Sequence, residues 1–226
     1  MEKFPMSFDG GSFQIEGFPD AEKIIAIQGA RGKRLSDLDL HRADLIFAQD
    51  CLQAINVAPN EPRVIREALW SSAIIHFFKC AGDSGARSQL SLEKILKNEP
   101  LEAMLVFNHF KALRNKHFVH DENSYAQSIP AAILNKAHKS AKIEKIICIS
   151  TFAETLDQGN YANLGMLIQK TLSWVTAEFD TLSELLRAEL EAESYAALLA
   201  MASPTYRVPT ADEVSKKRES LGVKPT

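Results

Sequence analysis

The sequence has few of the features that mark secreted, membrane-spanning or metal-binding proteins. Its 226 residues include only three cysteines, Cys51, Cys80 and Cys148, which are odd in number and widely spaced. That pattern favours reduced thiols in a core over a disulfide framework or a zinc site. No apolar run reaches the roughly 18 residues of a membrane span, and the opening MEKFPMSFDG lacks a basic-then-apolar signal. We therefore expect a soluble, cytoplasmic protein that makes no membrane contact.

An excess of positive charge is also missing. The 26 Lys and Arg residues are outnumbered by 29 Asp and Glu residues, which gives a formal net charge of −3. Proteins that bind nucleic acid through their bulk charge are basic, so any RNA contact here requires a local basic patch. With 46% hydrophobic residues, the chain has enough apolar material for one substantial core.

Three helices are expected in the first half of the chain, because apolar residues recur there at helical spacing. The first should begin at Ser36, a capping residue, and stop before Pro59. The second should run over about 62–81, up to the GDSG sequence, and the third over about 100–118. Residues 1–35 form an N-terminal arm whose short apolar runs, Phe13 to Phe18 and Ile24 to Ile27, suit small strands.

The hydrophobic period changes to two after the third helix. It predicts a β-hairpin at about 124–151 around the polar turn NKAHKSA, and Pro130 requires that its strand has a free edge or a bulge. After Gly159 the helical period returns, as one long helix or as two that break near Asp180. Residues 203–226 read as a flexible tail.

These elements predict an all-α fold, with an antiparallel helical bundle over residues 36–202, an inserted β-hairpin and a small N-terminal β arm.

The densest chemistry lies in ALRNKHFVHDEN, residues 112–123. It holds Arg114, Asn115, Lys116, His117 and His120 within seven residues. Arginine supplies a permanent charge and a planar fork of donors that fits phosphate oxygens. Histidine can take up or release a proton near neutral pH. The segment therefore suits the binding of a phosphate and proton transfer on it.

This motif resembles that of the HEPN superfamily, small helical bundles of which many are metal-independent ribonucleases. The family pattern is an arginine, a polar residue and a histidine a few residues later, which Arg114, Asn115 and His120 match. The resemblance implies RNA cleavage by the ribose 2′-hydroxyl with no metal or cofactor. His120 would move the proton, Arg114 would stabilise charge in the transition state, and Asn115 would orient the pair.

The spacing within the motif raises a geometric problem. Six residues apart on a continuous α-helix, Arg114 and His120 would point about 120° apart and lie roughly 9 Å apart along the axis. Either the helix unwinds after Phe118, or two chains build the site across a twofold axis. The resemblance implies the second arrangement, a homodimer with its two motifs facing each other.

Further basic residues could extend an RNA site. Lys116 and His117 are expected to be secondary phosphate contacts, and the hairpin turn holds a second basic cluster that could follow the RNA backbone. A helix C-terminus also favours basic residues through its dipole, and lysines on a hairpin commonly block edge pairing. The cluster comprises Lys136, Lys139 and Lys142, with His138 and Lys145 beside them.

Other interpretations stay open. Arg34 and His41 repeat the motif spacing by chance, in a predicted loop that joins the helix start. His76 lies between apolar residues and is expected to be a hydrogen-bonded, half-buried core histidine. The chain could also be a non-catalytic helical binding or regulatory module that uses its basic corner, or a metal hydrolase that uses His109, His117 and His120. A ribonuclease of this type would act as a toxin or in phage defence, and a neutralising partner protein would restrain it.

Overall fold

The computed structural model is mostly helical and contains two small antiparallel sheets. It describes all residues except 1–5, 10–11, 16, 19, 58–61, 83–86, 121, 206–207 and 217–226. Within these described ranges, no helix combines the length and apolar character that crossing a membrane requires. The elements are β1 (Met6–Asp9), β2 (Ser12–Ile15), α1 (Gly29–Val57), α2 (Arg63–Ala81), α3 (Leu92–Ile95), α4 (Leu101–Leu113), a π-helix (Arg114–Val119), β3 (Ala126–Leu134), β4 (Ile143–Phe152), α5 (Gln158–Glu191), α6 (Tyr195–Ala200) and a 3₁₀ turn (Ala211–Glu213).

The first helix starts earlier than the sequence predicts. It begins at Gly29, whose positive φ of 80° turns the chain into the helix, so Ser36 lies inside α1 and is not its cap. Gly32 allows the carbonyl of Ile27 to approach the first turn, where a Cβ would clash with it. The predicted boundary between the N-terminal arm and the first helix is therefore wrong, and residues 29–35 belong to the helix.

The second and third predicted helices, α2 and α4, confirm their predicted starts. α2 also confirms its predicted stop, whereas α4 ends at Leu113 instead of about residue 118. α2 begins directly after Pro62 and ends before Gly82, and α4 begins directly after Pro100. After Gly159 the chain continues as one helix through Asp180, so the alternative of a break there is wrong. The short helices α3 and α6 were not anticipated, because four and six residues carry too little periodicity to recognise.

Both predicted regions of strand contain sheet. β1 pairs with β2 in the N-terminal arm, whereas Ile24 to Ile27 form no strand. β3 pairs with β4 over the predicted hairpin, with an irregular register between Ile133 and Leu134. The 3₁₀ turn lies in the predicted tail, whose residues 206–207 and 217–226 fall outside the described part of the chain.

The chain divides into two compact units. One comprises Ala43–Gly82 and Leu90–Ser173, and the other comprises Met1–Arg42, Asp83–Gln89 and Trp174–Thr226.

Aromatic side chains from α2 and α4 form the core of the first unit. The Trp70 ring meets Phe110 edge-on at a centroid distance of 5.9 Å, and the ring of Phe77 meets that of Phe107 edge-on at 6.4 Å. Trp70 Nε1 donates a hydrogen bond of 3.0 Å to the Thr155 hydroxyl, which satisfies the buried indole. This packing fixes the direction of α4, the helix that leads into the motif.

The cysteines follow the predicted pattern at two of three positions. Cys51 and Cys80 are buried thiols, and burial raises the pKa of Cys51. Cys148 is exposed on β4, so its expected place in a core is wrong. The apolar sequence around it belongs to a strand with two exposed faces.

The second unit contains a buried polar cluster on α1. His41 Nε2 lies 2.9 Å from the Ser88 carbonyl oxygen, and Arg34 donates to the Ser88 hydroxyl at 2.7 Å. The Asp37 carboxylate accepts from the Ser88 amide at 3.0 Å and from Lys33 at 2.7 Å. Arg34 and His41, which repeat the motif spacing by chance, therefore belong to a hydrogen-bonded core. They lie on a helix and not in the predicted loop.

This cluster should make stability depend on pH. Burial lowers the pKa of His41, an effect that the Ser88 carbonyl opposes and the Arg87 and Arg34 charges reinforce. A group whose pKa is lower in the folded chain contributes stability above its unfolded pKa, about 6.5, which is lost as pH falls. We expect the urea midpoint to decrease from pH 7.5 to 5.5, and to decrease less in His41→Gln.

The exposed His138→Gln serves as the control and should retain the parent's pH dependence. An equal decrease in His41→Gln and in the parent would contradict the assignment to His41.

Candidate functional site

The motif occupies a change of helix type. α4 ends at Leu113, and Arg114 to Val119 form a π-helix of six residues. At its end the His120 amide donates to the Asn115 carbonyl at 3.2 Å, across five residues instead of the four of an α-helix. The angle calculated for a continuous α-helix therefore does not apply. The α-helix ends at Leu113, earlier than the expected unwinding after Phe118, and a site built by two chains stays a prediction.

Arg114 is held by its neighbour. Its Nη1 donates a hydrogen bond of 2.7 Å to the Asn115 side-chain oxygen, so the predicted orienting residue contacts the predicted charge-stabilising residue. The Nε atom of Arg114 is buried and has no hydrogen-bond partner among the described residues. Buried donors without partners are uncommon and cost stability.

His117 is half-buried within the π-helix. Its ring meets Tyr125 edge-on at a centroid distance of 5.5 Å, and its Nδ1 is buried without a partner among the described residues. Tyr125 directly precedes β3, so this contact joins the motif to the base of the hairpin. Tyr125 falls within the predicted hairpin, and its residue type alone does not indicate a role at the site.

Lys116 and His120 lie on the exposed side of the motif. The Lys116 ammonium pairs with the Glu122 carboxylate, and the Glu122 amide donates to the Lys116 carbonyl at 2.6 Å. The hydrogen bond from Lys116 holds the pKa of Glu122 below its usual range, with the Lys116 charge adding to the effect. Lys116, predicted to contact phosphate, is thus already paired with a carboxylate, while His120 is exposed.

The hairpin lysines do not join the motif within one chain. Lys136, Lys139 and Lys142 are exposed in the turn at the tip, whereas Tyr125 and the motif lie at the base. β3 is nine residues long, so roughly 30 Å separates the two ends. A single chain therefore presents two separate basic regions.

A metal site is not supported by the arrangement of possible ligands. Among the described residues, no group of three His, Cys, Asp or Glu side chains is placed to hold a metal ion. His109, His117 and His120 therefore do not converge into the alternative hydrolase site, although Asp121 lies outside the described residues.

A second polar cluster packs α2 against α1. His76 Nδ1 and Lys79 Nζ each lie 2.7 Å from the same oxygen of the buried Asp44 carboxylate. The Phe47 and His76 rings meet at a tilt of 43°, with their centroids 4.3 Å apart. The prediction that His76 is a hydrogen-bonded, half-buried histidine is confirmed, and the cluster contributes to packing between the helices.

Compared with protein-family models, curated proteins and solved structures, the chain matches none of them.

Proposed function

We propose that the protein is a metal-independent endoribonuclease of HEPN type. The observation that carries this proposal is the π-helix Arg114–Val119, because π-helical turns are rare and occur frequently at functional sites. It holds Arg114, Asn115, Lys116 and His117, and His120 directly follows its end. Two of its buried donor or acceptor atoms, Arg114 Nε and His117 Nδ1, have no partner among the described residues. The proposed fold is the antiparallel helical bundle of that superfamily.

The chemistry assigns one role to each motif residue. His120, which is exposed, accepts the proton of a ribose 2′-hydroxyl. The 2′-oxygen attacks the adjacent phosphorus, the bond to the 5′-oxygen breaks, and that oxygen is protonated from solvent. The products are a 2′,3′-cyclic phosphate and a 5′-hydroxyl. Arg114, oriented by Asn115, stabilises the negative charge that builds on the nonbridging oxygens.

The biological setting belongs to the same proposal. A ribonuclease of this kind acts in the cytoplasm as a toxin or in phage defence, as a homodimer, and a neutralising partner protein restrains it. His117, Lys136, Lys139 and Lys142 contact the RNA backbone beyond the reacting phosphate. The pairing of Lys116 with Glu122 makes Lys116 the weakest of the predicted contacts.

Incubation with single-stranded RNA in EDTA tests the proposal. We expect cleavage that leaves cyclic phosphate ends, because no residue role requires a metal. An otherwise identical preparation of His120→Ala is the control for contaminating nucleases. Loss of cleavage in EDTA would overturn the assignment, and so would full cleavage by His120→Ala.

A non-catalytic binding module is the second candidate. The exposed aliphatic side chains of the hairpin favour it, since large exposed apolar patches often mark interaction surfaces. It predicts that RNA or a protein partner is bound and left uncut, and that His120→Ala binds as the parent does.

A further inference from the structure

The two outer edges of the hairpin are not equivalent. The Ala153 amide donates to the Tyr125 carbonyl at 2.7 Å, which makes these two residues a hydrogen-bonded pair. By alternation, Pro130 and its partner Cys148 form a non-hydrogen-bonded pair, so the backbone of each faces outward. The outer edge of β3 therefore has a proline, which lacks an N–H, at its centre.

The outer edge of β4 has no such interruption. The same alternation turns the backbone groups of Ile146, Cys148, Ser150 and Phe152 outward, and none of these residues is a proline. A free edge with a full row of donors and acceptors is a template for another strand. Of the two edges, β4 is thus the one that can accept a strand along its whole length.

The hairpin also has both faces in solvent. Ile129 is 57% exposed, Ile146 is 67% exposed and Phe152 is 69% exposed. A two-stranded hairpin is only marginally stable in water, and three or more strands are usually needed. This strand pair therefore lacks the neighbours that such an apolar sequence needs.

We infer that β4 pairs in antiparallel orientation with the β4 of a second copy of this chain, about a twofold axis at Cys148. The two hairpins then form one four-stranded sheet, with about six backbone hydrogen bonds between the copies. This register places Cys148 beside the partner's Cys148. On the other face of the sheet, Ile147 lies beside the partner's Ile149, and Ile149 lies beside the partner's Ile147. These contacts add aliphatic cross-strand pairs.

The distribution of charge fits a second copy in antiparallel orientation and disfavours RNA. The central segment Ile146–Ile149 is uncharged, whereas Glu144 and Lys145 lie at one end, beside the lysine-rich tip. Antiparallel pairing puts the two tips at opposite ends of the sheet, while parallel pairing would set like charges side by side. An uncharged aliphatic edge offers no electrostatic attraction for RNA.

The arrangement has a consequence for RNA binding, which rests on the proposed function. It places the two motifs at opposite ends of the four-stranded sheet, in place of the facing motifs that the HEPN resemblance implies. Because the strands run in opposite directions, the partner's tip lies at the end of the sheet where Tyr125 contacts His117. The lysines that lie far from the motif in one chain would thus reach the motif end of the other. Each RNA site would combine one motif with a partner's Lys136, Lys139 and Lys142.

RNA-binding measurements test whether the effect of the tip lysines depends on the dimer. Substituting the three tip lysines by alanine should weaken binding of a single-stranded oligonucleotide several-fold in the parent, and should have a much smaller effect in a monomeric variant. Equal effects in both backgrounds would overturn the shared site. If the parent bound no RNA, the proposed function would fail, and the dimer would still be decided by the following measurements.

Ser150 and Ser128 provide a matched pair for testing the dimer. They lie opposite each other in the hairpin, and both have outward-facing backbone. We expect the parent to sediment as a dimer at micromolar concentration, Ser150→Pro as a monomer and Ser128→Pro as a dimer. A monomeric parent would overturn the inference, as would two proline variants with the same oligomeric state.

Cys148 allows a second test that does not depend on proline. Oxidation should give a covalent dimer on a non-reducing gel, since facing strand residues lie within the distance range of a disulfide, and Cys148→Ser should give none. Cys148→Arg should dissociate the dimer by placing two charges at the axis, without disturbing this exposed position. Pairing through β4 would be contradicted if Cys148→Arg remained a dimer. It would also be contradicted if oxidation of the parent gave no dimer cross-linked through Cys148.

Discussion

Replacing His120 or Arg114 by alanine should each abolish RNA cleavage. Loss of a histidine that transfers a proton lowers the rate by about 10² to 10⁴. Loss of the group that stabilises charge in the transition state costs about 10² to 10³. Neither side chain belongs to the core, since His120 is exposed and Arg114 is half-buried, so both variants should keep the parent's circular dichroism spectrum. Initial rates on a fluorescent single-stranded RNA measure the effect.

Matched variants outside the motif distinguish the loss of an active-site residue from the loss of any histidine or arginine. His109→Ala, at an exposed position on α4, and Arg187→Ala, on the exposed surface of α5, should cleave as the parent does. His117→Ala should be intermediate, because its ring lies in the π-helix but has no assigned proton to move. Full activity in His120→Ala would show that this motif is not the active site.

Replacing Phe110 by alanine should have the largest effect on stability. The side chain is fully buried and meets Trp70 edge-on at 5.9 Å, so truncation leaves a cavity and removes an aromatic contact. Changes of this kind cost about 3–5 kcal/mol in the free energy of unfolding. Leu105→Ala is the control, because Leu105 lies on the same helix and is 68% exposed, and it should change stability by less than about 0.5 kcal/mol.

Urea unfolding followed by tryptophan fluorescence measures both variants. Similar losses in Phe110→Ala and Leu105→Ala would contradict the packing of α4 on α2. Since α4 leads directly into the π-helix, Phe110→Ala should lose cleavage at the temperature at which it unfolds and retain it well below that temperature.

Strong local signals made much of the fold predictable. Pro62 and Gly82 bound α2 because one suits a first helical turn and the other ends a helix. The alternation from Ala126 to Phe152 identified the hairpin, since its period of two differs from that of the helices around it. The motif was found from residue type alone, because charge and proton chemistry are visible in a sequence.

The rest depends on backbone geometry and exposure that residue type does not specify. α1 starts at Gly29, where the chain turns at a positive φ and the Ile27 carbonyl lies against Gly32, and the apolar pattern does not indicate this turn. The π-helix is not coded by residue type, so the geometry of Arg114 and His120 could not be derived from their spacing. Cys148 was expected in a core because its neighbours are apolar, although its strand has no cover on either face.

A substrate that differs at one oxygen tests the central claim most directly. Two otherwise identical RNA oligonucleotides would be compared in EDTA, one with a 2′-deoxy nucleotide on the 5′ side of the bond that the parent cuts. Our account predicts that the RNA is cut there to a cyclic phosphate and that the substituted bond stays intact, because His120 has no 2′-hydroxyl to deprotonate. Equal cleavage of both bonds would contradict it.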